Sequence, residues 1–326
     1  MTNDSPVTWL MPVRNGMPYL PATLKAVAEQ SYKNHKIIVW DNGSTDGTLE
    51  ELRRWIPSHI PGQVVSGKPL RLGASLAALT EMADSELCAR IDADDISHPQ
   101  RLERQISFLQ AHPEVGLLGC QVELIDERGE PKNEPGWIYP TADAELRWLT
   151  RWHAQFCHPS MVFRKSAVLQ AGNYLDIQPF EDLDLAMRLA RITEFANLPE
   201  KLLKYRRGRT SSTGTVSEFL PLDRGAARKN VGLLFPNIHD PQRAMELWEA
   251  THPHQGHVKS RVQHIWQLER AATQLAEAVG KPSNYFTSTK AFQDQRYALK
   301  TRAYRRFGLM PLVALKARVM HAGSSS

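Results

Sequence analysis

The N-terminal half of the chain alternates short apolar runs with stretches whose apolar residues recur at helical spacing. Val7-Thr8-Trp9-Leu10-Met11 predicts a first strand, and Pro21 suits the first turn of a helix reaching about residue 30. Lys36-Ile37-Ile38-Val39-Trp40 predicts a second strand. A helix over residues 48–55 follows, with Ser44 or Thr45 placed to cap it. Residues 63–66 read as a third strand, 72–83 as a third helix, and Leu87-Cys88-Ala89-Arg90-Ile91 as a short buried strand. Further helices are predicted over 99–111 and from Glu181 onward. This strand–helix rhythm argues for an α/β fold whose central sheet is mainly parallel and covered on both faces. Helical spacing over 216–234, 241–250, 258–279 and 285–320 predicts a helical C-terminal extension. The Gly, Ser and Thr content of 208–214 marks the boundary, giving domains of 1–210 and 211–326.

Composition narrows the class. A chain of 326 residues, 42% hydrophobic, can build one large domain plus an appendage. Cys88, Cys120 and Cys157 show neither paired nor metal-binding spacing and read as small buried hydrophobes in a reducing compartment. Asp4 and the Pro6 region interrupt any N-terminal apolar run, and no apolar stretch reaches the ~18 residues of a spanning helix. A cytoplasmic protein is expected. Charge is uneven: from Lys201 onward there are 21 Lys and Arg against 8 Asp and Glu, leaving 19 against 27 in the first 200 residues. The basic helices have three readings. They pack on the catalytic part with solvated charges, or dock on anionic membrane, or bind nucleic acid. Arg302, Arg305, Arg306, Lys316 and Arg318 flank an apolar segment from Phe307 to Leu315, which suits anionic lipid. No nucleic-acid-binding motif accompanies the charge, so no nucleic acid is expected.

Candidate chemistry centres on Asp92-Ala93-Asp94-Asp95, three carboxylates in four residues at a strand end. Such a cluster needs water, basic partners or a metal ion, because bare buried charge is very costly. Hard divalent cations such as Mg²⁺ and Mn²⁺ take oxygen ligands of this kind. The carboxyl edge of an open α/β sheet is also where ligands bind. The plainer reading is a solvated acidic turn opening the next helix.

Taken in order, Pro12-Val13-Arg14-Asn15, Trp40-Asp41-Asn42-Gly43-Ser44-Thr45-Asp46-Gly47-Thr48, Ile91-Asp92-Ala93-Asp94-Asp95-Ile96-Ser97-His98-Pro99, His158-Pro159-Ser160 and Glu181-Asp182-Leu183-Asp184-Leu185 resemble glycosyltransferase family 2. The resemblance covers roughly the first two-thirds of the chain. It implies a GT-A fold and an inverting transfer from a nucleotide-sugar donor to a glycan or lipid-linked acceptor, in cell-surface polysaccharide or lipopolysaccharide synthesis. Pro12, Val13, Asn15 and Asp41 then resemble the nucleobase pocket. A carboxylate there accepts from a uracil or thymine imide N–H, favouring UDP- or dTDP-sugars; otherwise Asp41 is a turn acid bonding neighbouring amides. Arg71 falls where the family often has a basic residue near the diphosphate; otherwise it is an exposed, solvated arginine. By the same resemblance Asp94 is the direct ligand of Mn²⁺ or Mg²⁺, Asp92 meets the ribose or the metal's water shell, and Asp95 ranks below both. Asp182 is the general base and Glu181 its positioning neighbour, with a swap of roles left open.

Two departures qualify the resemblance. Asn42 stands where an acid is usual, and Gly208 follows Tyr205-Arg206-Arg207 where a histidine would complete the metal shell. Arg206, Arg207 and Arg209 could then grip the diphosphate directly; His98 and His158 read as packed histidines rather than ligands. Gly208 favours an alternative, a catalytically silent sugar-nucleotide-binding scaffold. A sugar-phosphate nucleotidyltransferase is a further alternative, weakened by the single glycine after the first strand.

Overall fold

The computed structural model describes residues 5–134, 137–177, 180–208, 238–251 and 262–306, with isolated positions between 225 and 235. Tertiary contacts divide the chain into two units, Met1–Leu222 and Asp223–Ser326.

In the first unit, β1 (Val7–Val13), β2 (His35–Asp41), β3 (Gly62–Ser66) and β4 (Leu87–Arg90) are joined through α1 (Leu20–Ala28), α2 (Thr48–Trp55) and α3 (Leu72–Met82). β1 pairs in parallel with both β2 and β4, and β2 with β3. Then follow β5 (Ile96–Ser97), α4 (Arg101–Ala111), β6 (Val115–Ile125), α5 (Asp143–Leu149), β7 (Val162–Arg164), α6 (Lys165–Gln170), α7 (Glu181–Leu189) and β8 (Glu194–Arg206). Together the strands form one eight-stranded sheet in the order β3-β2-β1-β4-β7-β6-β8-β5. β7 runs antiparallel to both β4 and β6, and β5 antiparallel to β8, so the sheet is mixed.

Alternation along β1 explains why the sheet is covered twice. Trp9 and Met11 point into a layer built with Leu24, Leu52, Leu102 and Ile106 from α1, α2 and α4. Leu10 points into the opposite layer with Leu76, Leu146, Leu185 and Leu189 from α3, α5 and α7. Every residue of β1 is buried, as a strand with helices on both faces requires. Because β1, β2 and β4 run the same way, Val13, Asp41 and the residues after Arg90 emerge at one sheet edge. Ile91 extends that alignment by donating its amide to the Leu10 carbonyl at 3.2 Å.

The second unit contains α8 (Pro241–Thr251), α9 (Val262–Ala278) and α10 (Lys290–Arg306) among the described residues. Leu247, Trp248, Leu268, Ala272, Phe292 and Leu299 are buried within it. The helices expected over 241–250 and 258–279 are present with shifted ends. Most of the one expected over 216–234, and all of 307–320 with its apolar segment, lie outside the described residues. No described helix is long and apolar enough to cross a membrane.

Candidate active site

The loops at the carboxyl edge of β1 and β2 are stitched to each other. Asn42 donates its amide to the Val13 carbonyl (2.8 Å), and the amide of Asn15 donates to Ser44 Oγ (2.9 Å). Asn15 Oδ1 accepts from the Thr45 amide at 2.9 Å. The amides of Gly16 and Met17 donate to Thr48 Oγ1 (2.8 Å) and Asp46 Oδ2 (3.0 Å). Asn15 adopts a left-handed backbone (φ 53°), tolerated by Asn because its short side chain bonds locally. It therefore holds the two loops together. Asp41 is 1% exposed, and both its oxygens accept from the Ser44 amide at 3.3 and 3.4 Å. Asn42 anchors the approach to α3, accepting from the Leu70 amide (2.8 Å) and donating to Ser75 Oγ (3.1 Å).

Arg90 organises the acidic cluster. Its side chain ends a strand that is otherwise apolar, is 2% exposed, and donates Nη1 to Asp92 Oδ2 at 2.6 Å. Beneath it, the fully buried Arg101 donates Nη2 to the Arg90 carbonyl at 2.9 Å. Asp95 is fully buried. Its Oδ1 accepts the Arg206 amide (2.8 Å), its carbonyl accepts Thr23 Oγ1 (2.8 Å), and its Oδ2 has no hydrogen-bond partner. Ligand oxygens of Asp92, Asp94 and Asp95 lie within 4.8 Å of one another. Burial, then the Asp92 charge, pushes the Asp94 carboxyl up to about 6. Asp95 is raised well above the usual carboxylate range by burial and then by both neighbours. Crowded hard oxygens, one of them an orphaned buried atom, fit a divalent cation.

The diphosphate role expected of the arginines after Tyr205 meets a different geometry. Arg206 Nε donates to the Asp94 carbonyl (2.8 Å), Nη1 donates to the Asp126 and Glu127 carbonyls (2.7 and 3.1 Å), and the guanidinium covers Tyr19 at 4.3 Å. Those donors are spent on locking the cluster's backbone, so Arg206 is not a free anion grip. Arg207 faces Glu134 at 3.6 Å and stacks on Trp137; Arg209 lies outside the described residues. Gly208 packs against Glu127, whose Oε1 would lie 3.0 Å from a Cβ there, so a larger side chain would displace it. Arg71, just before α3, pairs Nε with Asp176 Oδ1 at 3.1 Å.

Glu181 and Asp182 occupy the first turn of α7, where carboxylates suit the helix dipole. Phe180 precedes them with φ 90°, turning the chain sharply into the helix. α3 comes so close that a Cβ on Gly73 would lie 2.2 Å from the Leu175 carbonyl oxygen and 3.2 Å from Glu181 Cβ. Glu181 is 6% exposed, whereas Asp182 is half-buried and accepts the Leu183 amide at 2.7 Å. Burial, then the Asp182 charge, pushes the Glu181 carboxyl up to about 7, with Arg90 opposing and Asp92 adding to the shift. The acidic pair and the Asp92–Asp95 cluster thus share the field of one buried guanidinium. Asp184 pairs with Arg188 further along the helix, a structural contact.

Arg90, Tyr174 and the role of His158 were not legible as site features in the sequence. An arginine inside a four-residue apolar strand is the one available signal, since it demands a partner. His158 Nε2 lies 3.2 Å from Tyr174 Oη, and Nδ1 lies 3.7 Å from Glu181 Oε1. His98 is exposed and bonds the Gln100 amide. Neither histidine joins the carboxylate cluster.

The sequence profile of glycosyl transferase family 2 matches residues 8–171, which carry β1 to β7 and the acidic cluster. The chain belongs to that family. It is 32% identical over 191 residues to the amylovoran biosynthesis glycosyltransferase AmsE of Erwinia amylovora, spanning 58% of this chain and 71% of the relative. It is 24% identical over 204 residues to the O-antigen biosynthesis glycosyltransferase WbnJ of Escherichia coli, spanning 61% and 79%. Its structure is similar to that of S. aureus TarS 1–349 in complex with UDP-GlcNAc, with a TM-score of 0.59, 14% identity and coverage of 92% of each chain. The fold is GT-A, with its mixed sheet flanked by helices, and the protein is a glycosyltransferase.

Proposed function

We propose that this glycosyltransferase is an inverting, metal-dependent enzyme taking its sugar from a UDP- or dTDP-sugar, with a glycan or lipid-linked acceptor in surface polysaccharide synthesis. One observation carries the reading: the Glu181–Asp182 pair and the Asp92–Asp95 cluster converge on the charge of Arg90, so base and leaving-group machinery sit together. The AmsE and WbnJ likenesses support the glycan context, and the TarS complex with UDP-GlcNAc supports a uridine donor.

In this reading Pro12, Val13 and Asn15 shape the nucleobase pocket and Asp41 accepts the base imide N–H. Arg71 exchanges Asp176 for the diphosphate. Asp94, with Asp92, would hold Mn²⁺ or Mg²⁺. When bound, such an ion neutralises charge developing on the departing diphosphate. The half-buried Asp182 takes the acceptor hydroxyl proton as that oxygen bonds to the anomeric carbon, and the bond to the diphosphate breaks on the opposite face. Glu181, buried beside it, fixes its placement. The basic C-terminal region is assigned to an anionic membrane surface at the cytoplasmic face.

Release of nucleoside diphosphate from a panel of nucleotide sugars, with and without Mn²⁺, tests the proposal. UDP or dTDP release that stops with chelator and in Asp94→Ala sustains it. Pyrophosphate release, or no release from any donor, contradicts it; the second result would favour the scaffold alternative that Gly208 suggests.

A further inference from the structure

The His158-Pro159-Ser160 turn has no task in the mechanism above, yet its histidine faces the acidic pair. His158 opens a single 3-10 turn (His158–Ser160) between α5 and β7. Ser160 Oγ bonds back to the Cys157 carbonyl at 2.7 Å, fixing the turn from inside. The His158 and Glu181 side chains are 10% and 8% exposed, and Tyr174 is 4% exposed. Burial, and then the Arg90 charge, hold the imidazole well below its usual range, so it is neutral. A neutral imidazole has one donor nitrogen and one acceptor, and which is which follows from the bonding around it. Tyr174 Oη lies within hydrogen-bond distance of His158 Nε2 at 3.2 Å, and a buried hydroxyl proton must be placed. Donation from the Tyr174 hydroxyl to Nε2 places that proton. That leaves the imidazole proton on Nδ1, the nitrogen 3.7 Å from Glu181 Oε1.

We propose that Tyr174 and His158 are positioning residues for the acceptor-activating carboxylate pair: the tyrosine fixes the histidine tautomer, and the histidine turns an N–H toward Glu181. This rests on the reading of Glu181–Asp182 as the pair that serves transfer. At 3.7 Å the N–H acts as an oriented dipole rather than a full hydrogen bond, and it favours the ionised form of Glu181. Among the described residues, the titratable groups acting on or facing Glu181 are Asp182 on its own helix, Arg90 and Asp92 from the β4 end, and His158 and Tyr174, while Gly73 of α3 packs close to its Cβ. Against two like charges, a backbone hydrogen bond at the helix start and the Arg90 charge favour ionised Glu181, and the relay acts with them. The Glu181 charge then raises the basicity of Asp182 beside it, so transfer rises as pH passes through the Glu181 midpoint. Ser160 and Pro159 hold the imidazole in place, which gives the whole tripeptide a task.

The Glu181 titration tests this directly, in full-length protein carrying ¹³C-carboxyl glutamate. The resonance is assigned by its disappearance in Glu181→Gln. The Glu181 midpoint is expected to rise by about one pH unit relative to native in His158→Phe, which keeps ring volume without the N–H. In Tyr174→Phe, which loses only a hydroxyl and frees the tautomer, a smaller rise is expected. An unchanged or lowered midpoint in folded His158→Phe overturns the proposal. If that variant does not fold, an unchanged midpoint in Tyr174→Phe does so. The acid limb of kcat/KM for UDP-sugar hydrolysis, measured on the same proteins, separates this from the parent reading. A limb that moves with the titration supports both. A titration that moves while the limb stays fixed upholds the relay and removes the carboxylate pair from the chemistry.

Discussion

In the proposed reading Asp41 holds two tasks in one carboxylate. It accepts the Ser44 amide with both oxygens while standing 1% exposed at the edge assigned to the nucleobase. Asp41→Asn keeps an acceptor for the turn but weakens the charge-assisted bond to an imide N–H, worth about 1.5–3 kcal/mol. UDP affinity by calorimetry is expected to fall about tenfold or more, with the melting temperature nearly unchanged. Equal affinity would return Asp41 to the turn alone. At this scale the sequence was readable where residue type forces an environment. Three acids at a strand end required compensation, and the structure supplies Arg90 and Arg206. What could not be read was which partner each group takes. Arg206 looks like an anion grip by type, and only the carbonyls of Asp94, Asp126 and Glu127 around it show that its donors are committed. Asn15 likewise ties loops through contacts whose partners lie about thirty positions away.

At the level of elements, close approach between α3 and the segment leading into α7 sets where the acidic pair sits. Gly73→Ala places a methyl 2.2 Å from the Leu175 carbonyl oxygen, so that segment or α3 must shift. Such displacement is expected to lower transfer by about tenfold or more while UDP binding changes less, because reacting groups tolerate little misplacement. Parallel loss of binding and turnover would show that α3 itself had moved. The helices with regular apolar spacing, such as α2 (Thr48–Trp55) and α3 (Leu72–Met82), were legible almost to their ends. β8 was not. Pro199, Glu200 and Lys201 interrupt its apolar pattern, and the register against β6 shifts near Cys120 and Gln121. A bulge of this kind moves the alternation out of phase, so the two-residue period fails. β5 and β7, of two and three residues, are too short to carry a period.

Across the molecule the charge division is the largest feature with no place in the site. The proposed catalytic groups fall in the acidic first 200 residues, and the basic excess falls from Lys201 onward. Leu299 is fully buried and α10 reaches Arg306, so a cut intended to remove only the basic tail belongs after Arg306. That truncation is expected to leave UDP binding intact but to reduce partitioning onto anionic liposomes, with salt weakening the native association. Equal partitioning of both forms would mean that Phe307–Leu315, Lys316 and Arg318 do not carry the association.

The central claim is that Asp182 accepts the acceptor proton in a site whose donor binding is independent of it. UDP release from the preferred UDP-sugar, measured in native protein and in Asp182→Asn alongside donor affinity, tests it most directly. The substitution preserves size and most hydrogen bonding but removes the base. Donor affinity is expected to stay within a few-fold of native, while release falls by roughly 10²–10⁴-fold, the usual contribution of a general base. Glu181→Gln should lose less. Native-like release by Asp182→Asn, with the larger loss in Glu181→Gln, would contradict the assignment and place the base on Glu181.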